Sequence, residues 1–236
     1  MKLKLAALCL LALAMPAHAE DPPIQPGTEN LPPGWPRAGS TTLVENDRGA
    51  AYNVEYPMGQ ATPLHRHRYF FAGLDLNTAG LSVRNPGQAD WGAPNAVVKN
   101  RMWWLPKNLA HQEMSRTDPG RHTVVIDITD KRVPAAKNTT SFPENKYAPS
   151  QIKVVDNDMV TIWDTAWGPR DAVMSFNSRD MFLAFAEGGN LSIQEDGKPA
   201  EVKHYDTGQA IFLKGGVARA ITAKDSAIHV MLVEVK

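Results

Sequence analysis

The most restrictive feature of the sequence is an internal repeat. Four markers of the first half return in the same order in the second half, 108 to 111 positions later. They pair Val44–Asp47 with Val155–Asp158, Gly59 with Gly168, Gly80 with Gly189, and Leu105–His111 with Leu213–Arg219. Each match is weak by itself, but the preserved order and spacing indicate that one domain was duplicated. Two copies of the same fold are therefore expected.

The runs between turn signals are short and β-like. In the first half they are Gly49–Tyr56, Leu64–Leu76, Leu81–Val83, Arg101–Leu105 and Thr123–Ile128. Breaks such as Asn85-Pro-Gly87 and Asp118-Pro-Gly120 separate them, and no run carries a sustained helical period. The pattern predicts an all-β chain whose sheets close into barrels or pack as sandwiches, which protects their edges.

The first nineteen residues are typical of an export signal. Lys2 and Lys4 form a positive start, Leu5–Met15 is an apolar run, and Ala17–Ala19 is a small-x-small cleavage site. We therefore expect cleavage after Ala19 and a periplasmic or secreted protein. The only cysteine, Cys9, lies inside this segment, so the mature chain has neither a disulfide nor a thiolate ligand.

The remaining chain divides by composition into four parts. Residues 20–41 are rich in proline and glycine, which predicts an extended arm. The presence of Trp35 in this arm favours partial docking on a domain surface. Residues 42–130 form the first β domain, 131–150 a second proline-containing linker, and 151–236 the second β domain.

Charge and hydropathy exclude some partners. Lys and Arg number 25, as do Asp and Glu, and loss of Lys2 and Lys4 changes the formal charge from 25 − 25 = 0 to 23 − 25 = −2. Nucleic acids and anionic membranes both favour a clustered basic surface, which is not present. No later apolar run reaches the roughly 18–20 residues of a membrane span.

A pair of histidines is the strongest candidate in the sequence for a metal-binding site. In a strand, His65 and His67 point to the same face and lie roughly 7 Å apart, close enough to hold one ion. Without thiolates, only nitrogen and oxygen donors are left, and imidazoles suit Zn, Cu, Ni or Fe(II). Ordinary packing of the histidines in a core is the alternative.

These residues resemble the motifs of the cupins. Gly59, His65 and His67 have the spacing of the first cupin motif, and Pro106 and His111 match the core of the second. The resemblance implies a jelly-roll barrel in each half, so that the chain resembles a bicupin. It also implies a divalent metal (Fe, Zn, Cu, Ni or Mn) held by His65, His67 and His111.

The sequence departs from the cupin motifs at several positions. The glutamate of the first motif would fall at Phe71 or Ala72, neither of which binds metal. Asn100 and Asn108 replace two glycines of the second motif, and Ser115 replaces its closing asparagine. The resemblance thus implies a three-histidine site without the carboxylate, or a degenerate cupin without metal.

The second half retains no ligand set. Laying Gly59 on Gly168 puts His65 and His67 over Met174 and Phe176, and His111 over Arg219. We therefore expect the second barrel to be structural or to serve as a partner wall, with Arg219 as an anion contact inside it.

Aromatic residues are expected around the site. Tyr69 and Phe71 continue the alternation of the two histidines and should face inward. One of Trp103 and Trp104 should add a wall, because only one of two adjacent strand residues points inward. Core filling is the alternative role for all four.

Several polar residues lie near the histidine motifs in the sequence. Gln112, Glu113 and Tyr69 are the nearest candidates in sequence to orient the imidazoles. Asp75 is expected to cap a turn rather than bind metal. Arg66 and Arg68 alternate with the histidines and should point outward, as a solvated face or as a contact in a homodimer.

Two functions follow from these features. The first is a metal-dependent dioxygenase that acts on a small anionic substrate, as in the oxygen-dependent cupins that the histidines resemble; an isomerase or a hydrolytic cupin is also open. The second is a non-catalytic periplasmic binding or sensor protein for a small ligand or for the metal.

Overall fold

The computed structural model describes residues 21–130 and 150–236, apart from 170, 172, 173 and 178, so the export signal and most of the 131–150 linker lie outside the described residues. The strands of the first half are β1 (Ser40–Asn46), β2 (Gly49–Tyr56), β3 (His65–Arg66), β4 (Phe70–Asp75), β5 (Ala79–Arg84), β6 (Asn95–Val97), β7 (Met102–Leu105), β8 (Ala110–Ser115) and β9 (Arg121–Ile128).

The second half has nine corresponding strands. They are β10 (Ser150–Asp156), β11 (Val160–Trp167), β12 (Met174–Asn177), β13 (Met181–Glu187), β14 (Gly189–Glu195), β15 (Glu201–Tyr205), β16 (Ala210–Leu213), β17 (Ala218–Ala223) and β18 (Ile228–Val235). Within the described ranges there is no helix long and apolar enough to cross a membrane.

Both halves have the same topology. The first consists of a five-stranded sheet in the order β1-β2-β9-β4-β7 and a four-stranded sheet in the order β3-β8-β5-β6. The second repeats this as β10-β11-β18-β13-β16 and β12-β17-β14-β15. Even the bulge of the first strand recurs, before Val44 in β1 and before Val155 in β10. The prediction of an all-β chain built from two copies of one barrel is confirmed.

Strand alternation creates three cores. Ala72 and Leu74 of β4 pack with Ile162 and Val233 of the second half, so the two five-stranded sheets meet face to face. Phe71, one position along the same strand, instead points into the first barrel with Tyr52 and Val125. The second barrel has its own apolar interior, which includes Trp163, Trp167, Phe185, Leu191 and Ile221. The interior of the first barrel also contains buried polar groups, among them His65, His67 and His111.

Two asparagines preserve backbone turns where the cupin motif has glycine. Asn100 and Asn108 both have φ near 65°. This left-handed region disfavours most side chains, but asparagine tolerates it better than others. The two departures from the motif therefore leave the local chain path intact.

The N-terminal arm docks on the first barrel. Its Pro32 carbonyl accepts a hydrogen bond from the Arg66 amide at 2.9 Å, and its Pro22 carbonyl accepts one from the Asn108 side chain at 2.7 Å. Trp35 is buried in the barrel interior. The arm thus covers one end of the four-stranded sheet.

The position of Arg66 differs from the expectation. The guanidinium is buried under the arm, where Nη1 donates to Asn108 Oδ1 at 2.7 Å and Nη2 to the Glu29 carbonyl at 3.3 Å. Arg66 points out of the barrel as expected, but the prediction of a solvated face is wrong, because the arm covers the outer surface of β3. Arg68 is exposed as expected.

Strand pairing also corrects the alignment of the two halves. His65 lies opposite His111, whereas Phe176 lies opposite Arg219. Phe176, rather than Met174, therefore corresponds to His65. Phe176 follows Gly168 by eight positions, whereas His65 follows Gly59 by six. An alignment of the two halves without a gap therefore misplaces the second half by two residues in this strand.

Candidate metal centre

Three histidines converge inside the first barrel. His65 Nε2 lies 3.2 Å from His67 Nε2, which lies 3.3 Å from His111 Nε2. β3 and β8 are paired at His65 and His111, which brings the first and third rings together across the sheet. The side chains are 1%, 2% and 6% exposed. Among the described residues, this is the one group of histidine, cysteine and acidic side chains close enough to share an ion.

The hydrogen bonds of His65 leave Nε2, the nitrogen that faces the other rings, free of a proton. Its Nδ1–H donates to the Pro63 carbonyl at 2.8 Å, which places the proton on Nδ1 and the lone pair on Nε2. The Nδ1 of His67 is buried without a hydrogen-bond partner. The backbone of Gly34 lies against that same ring edge.

Burial keeps all three imidazoles neutral. It lowers the pKa of His65 to about 4, with further contributions from His111 and Arg37. Burial and the other two rings lower the pKa of His67 well below 6.5. Burial also lowers the pKa of His111, although Glu113 partly opposes this. Neutral imidazoles are the form that binds metals, so the donor set fits a divalent ion.

The arm forms a roof over the histidines. The ring centroid of Trp35 lies 5.1 Å from that of His67 and 6.2 Å from that of His65. Arg37 follows two positions later, with its guanidinium 4.6 Å from the Trp35 ring centroid. Its Nη1 lies 3.2 Å from His65 Nδ1 and 3.3 Å from Nε2. Arg37 therefore brings a positive charge to the edge of the histidine cluster.

A buried ionic network lies beside the cluster. Arg121 Nη1 donates to Glu113 Oε1 at 2.9 Å, and Arg121 Nη2 donates to Asp75 Oδ1 at 3.1 Å. Tyr56 donates its hydroxyl to Glu113 Oε2 at 3.2 Å. Burial alone would raise the pKa of Glu113, but the Arg121 and Arg37 guanidiniums outweigh it and hold that pKa well below its usual range. Glu113 is therefore an ionised carboxylate inside the barrel.

Comparison with known structures identifies the fold. No protein-family model matches the sequence, and no curated protein matches it either. A cupin 2 conserved barrel domain protein from Leptotrichia buccalis matches with a TM-score of 0.53 at 10% identity, over 84% of this chain and 88% of that one. The chain has the cupin fold. The prediction drawn from the histidine motifs is confirmed at the level of fold.

Two further structures show the same likeness. AerE from Microcystis aeruginosa matches with a TM-score of 0.58 at 9% identity, over 84% of this chain and 97% of AerE. Salicylate 1,2-dioxygenase from Pseudoaminobacter salicylatoxidans matches with a TM-score of 0.55 at 11% identity, over 79% of this chain and 68% of the enzyme. At these identities the likeness establishes the cupin architecture across both barrels.

The expected aromatic residues separate into two groups. Phe71 stacks on His67 with centroids 4.0 Å apart, and Trp103 meets the edge of Phe71 at 5.6 Å. Trp104 stacks instead on Phe70, outside the barrel interior. Tyr69 is 39% exposed, so its inward-facing prediction is wrong. The strand alternation is interrupted at residues 67–69, which belong to neither β3 nor β4.

The two residues that follow His111 have different roles. Gln112 points away from the histidines, since its side chain donates to the Thr62 carbonyl at 3.1 Å and accepts from Arg84 at 2.6 Å. Glu113 returns to the inner face, with Oε1 3.9 Å from His111 Nε2. Of the two, Glu113 alone reaches the histidine cluster.

Asp75 caps no turn. It is fully buried, and its carboxylate pairs with Arg121 and Arg101 while accepting a hydrogen bond from Trp103 Nε1 at 3.2 Å. Its role is to balance the buried Arg121 next to the site, with the more exposed Arg101 as a second partner. Sequence spacing could not show this, because the partners lie 26 to 46 positions away.

Sequence patterns also missed Arg37, Tyr56 and Arg121. Arg37 lies in a segment without a period, where nothing distinguishes a functional side chain from a solvated one. Tyr56 and Arg121 end or begin long strands, and their joint contact with Glu113 exists only after β2, β8 and β9 assemble.

The second cupin barrel offers no comparable site in the described part of the chain. Arg219 is buried, but Glu195 accepts from its Nη2 at 2.9 Å and the Lys214 carbonyl accepts from its Nη1 at 2.6 Å. The expected anion contact is therefore wrong, because the guanidinium is already paired within the protein.

Proposed function

We propose that the first barrel binds one divalent metal ion through His65, His67 and His111. The supporting observation is the convergence of three buried imidazoles whose Nε2 atoms are separated by 3.2 and 3.3 Å. Ligand bonds of roughly 2.0–2.1 Å from each nitrogen to one ion require neighbouring nitrogens at about this separation. Iron, manganese, zinc, copper and nickel are all compatible with such donors.

The charges around the cluster favour an anionic ligand. Arg37 and Arg121 carry two buried positive charges, and Glu113 and Asp75 carry two negative ones. These groups balance before an ion enters. A divalent ion adds two positive charges in a site with little water, and such a site requires compensating charge. A small carboxylate or similar anion would supply this compensating negative charge, and Arg37 would bind the anion.

Among reactions, we propose oxygen-dependent oxidation of that anion. A bound metal would act there as a Lewis acid and as a template for the substrate. The chain itself contributes Arg37 to bind the anion, Phe71 and Trp103 to form an apolar wall, and Trp35 to exclude water. Salicylate 1,2-dioxygenase, a structural neighbour, has a name that states this class of reaction.

A non-catalytic binding or sensor protein is the second candidate. The arm leaves the three histidines at most 6% exposed, so entry of any ligand requires the arm to move. A site that closes over its ligand suits retention and sensing as well as catalysis. Only the enzyme would turn over a substrate.

The test combines elemental analysis with oxygen uptake. The purified protein is expected to carry close to one metal ion per chain, and a triple variant with alanine at positions 65, 67 and 111 close to none. His204→Ala, at a surface histidine, is the control. Oxygen consumption with a panel of small carboxylates then separates the enzyme from the binding protein. Equal, near-zero metal in both proteins would contradict the metal site.

Export is a separate part of the proposal. The segment over residues 1–19 has the charge, apolar run and cleavage site of an export signal. Amino-terminal sequencing of the protein recovered from its native compartment should begin at Glu20. An intact amino terminus in the cytoplasm would contradict export.

A further inference from the structure

Glu113 and His111 share one face of strand β8. Residues two apart on a strand project to the same side, and both side chains enter the barrel. Glu113 Oε1 lies 3.9 Å from His111 Nε2, the same nitrogen that approaches His67. A carboxylate oxygen therefore lies within 4 Å of one of the three histidine nitrogens.

The backbone of Glu113 is held firmly. Its amide donates to Thr62 Oγ1 at 2.8 Å, and its carbonyl accepts from the Thr62 amide at 2.8 Å. The carboxylate is oriented by Arg121 at 2.9 Å and Tyr56 at 3.2 Å, and Arg37 Nη2 lies 3.8 Å from Oε2. Carboxylates that bind metals are commonly held in this way by hydrogen bonds from surrounding residues.

The distance to His111 fits a ligand position. With ligand bonds of roughly 2.0–2.2 Å, two adjacent ligand atoms on one ion lie about 3 Å apart and two opposite ones about 4.2 Å apart. The separation of 3.9 Å between Glu113 Oε1 and His111 Nε2 falls between these limits. Glu113 lies outside the group of three donors that are all within 4.8 Å of one another, so binding would require its side chain to move toward His65 and His67.

We propose that Glu113 is a fourth protein ligand of the metal, which rests on the proposed function of the three histidines. The carboxylate would come from β8, the strand of the third histidine, rather than from β4, where Phe71 and Ala72 occupy the positions expected for the cupin glutamate. The ligand set becomes three imidazoles and one carboxylate. An oxygen donor suits harder ions such as Mn(II) and Fe(II) better than imidazoles alone do.

The direct test uses Mn(II) as the probe. Full-length protein containing glutamate labelled with ¹³C at the side-chain carboxyl is loaded with Mn(II) and examined by electron–nuclear double resonance. A bound carboxylate should give a clear ¹³C coupling, whereas a carboxylate that only contacts a histidine should not. The coupling should disappear in Glu113→Gln and persist in Asp75→Asn, which removes the other carboxylate on Arg121.

Affinity provides the second readout. Glu113→Gln should weaken Mn(II) binding by more than about 100-fold, and Asp75→Asn by less than that, because partners outside the ligand shell typically contribute about 10- to 100-fold. Equal losses in the two variants would contradict the ligand role. If Glu113→Gln does not fold, the spectrum of the labelled wild-type protein decides the question alone.

The outcomes separate the two proposals. Wild-type protein that binds Mn(II) through the histidines without a ¹³C coupling would overturn the role of Glu113 and leave the three-histidine site intact. Wild-type protein that binds no metal would overturn the proposed function itself.

Discussion

Trp35 of the N-terminal arm donates its indole N–H to Asp127 of strand β9 at 3.1 Å, across 92 positions of the chain. The same indole packs on His65, His67 and Phe71. One side chain therefore joins the arm to the wall of the barrel and closes the histidine cluster from solvent. The arm is part of the site, and the next predictions follow from its contacts.

Asp127 should make stability depend on pH. Burial raises the pKa of Asp127 to about 7, partly opposed by the hydrogen bond from Trp35. The folded protein keeps this proton until about pH 7, whereas the unfolded chain releases it near pH 4. Stability should therefore fall as pH rises from about 4 to 7.

Asp127→Asn tests this prediction, because the amide oxygen still accepts from Trp35 but does not ionise. Relative to wild type, the variant should gain roughly 1–3 kcal/mol in free energy of unfolding between pH 5 and pH 8, measured by urea denaturation at both pH values. A constant difference between the two proteins at both pH values would show that Asp127 does not carry a raised pKa.

Gly34→Ala should disturb the contact between the N-terminal arm and His67. A Cβ at this position would lie 2.8 Å from both Nδ1 and Cε1 of His67, so either the ring or the arm must move. We expect roughly 10-fold weaker metal binding, since a shift of a ligand or its support has effects of this size. Competition with a metal chelator measures the loss.

Gly27→Ala is the matched control in the same arm. Its Cβ would meet nothing within 4 Å, although φ of +83° makes the substitution strained. It should lower stability without changing metal affinity. Equal losses of affinity in the two variants would mean that strain in the arm, rather than contact with His67, is responsible.

Arg37 should bind the anion rather than the metal. Arg37→Met removes a positive charge 3.3 Å from His65 Nε2, so metal affinity should stay unchanged or rise. The affinity of metal-loaded protein for oxalate, measured by calorimetry, should fall by about 10-fold, because a charge-assisted contact is lost. Arg68→Met, at an exposed arginine of the loop between β3 and β4, should change neither quantity. Tighter oxalate binding by Arg37→Met would contradict this role.

Arg121 should be essential for stability. Its side chain is 5% exposed and pairs with both Glu113 and Asp75. Arg121→Met leaves two buried carboxylates without their main partner and should cost roughly 3–5 kcal/mol in free energy of unfolding. Arg84→Met, which removes a more exposed contact to Gln112, should cost less than about 1 kcal/mol. A similar loss in both variants would contradict the importance of the buried network.

Local patterns in the sequence predicted the fold well. The ordered repeat and the short runs between turns led to two equal barrels, and strand pairing shows the repeat down to the bulges before Val44 and Val155. His65, His67 and His111 were predicted because their spacing resembles that of the cupin motifs. These features depend on residues close in sequence or on a motif with defined spacing.

The surroundings of the histidines could not be predicted in the same way. Arg37 reaches His65 across 28 positions, and Arg121 reaches Tyr56 across 65. Such contacts depend on how the arm and strands assemble, which periodicity does not encode. Tyr69 was misplaced for a local reason, since a bend interrupts the alternation after His67.

The central claim is that three histidines form one metal site. Titration of metal-free protein with Co(II), followed by visible absorption, tests it most directly. One equivalent of Co(II) per chain should produce a ligand-field spectrum that saturates sharply, and the variant with alanine at positions 65, 67 and 111 should produce none. The same weak, unsaturated signal from both proteins would contradict the account.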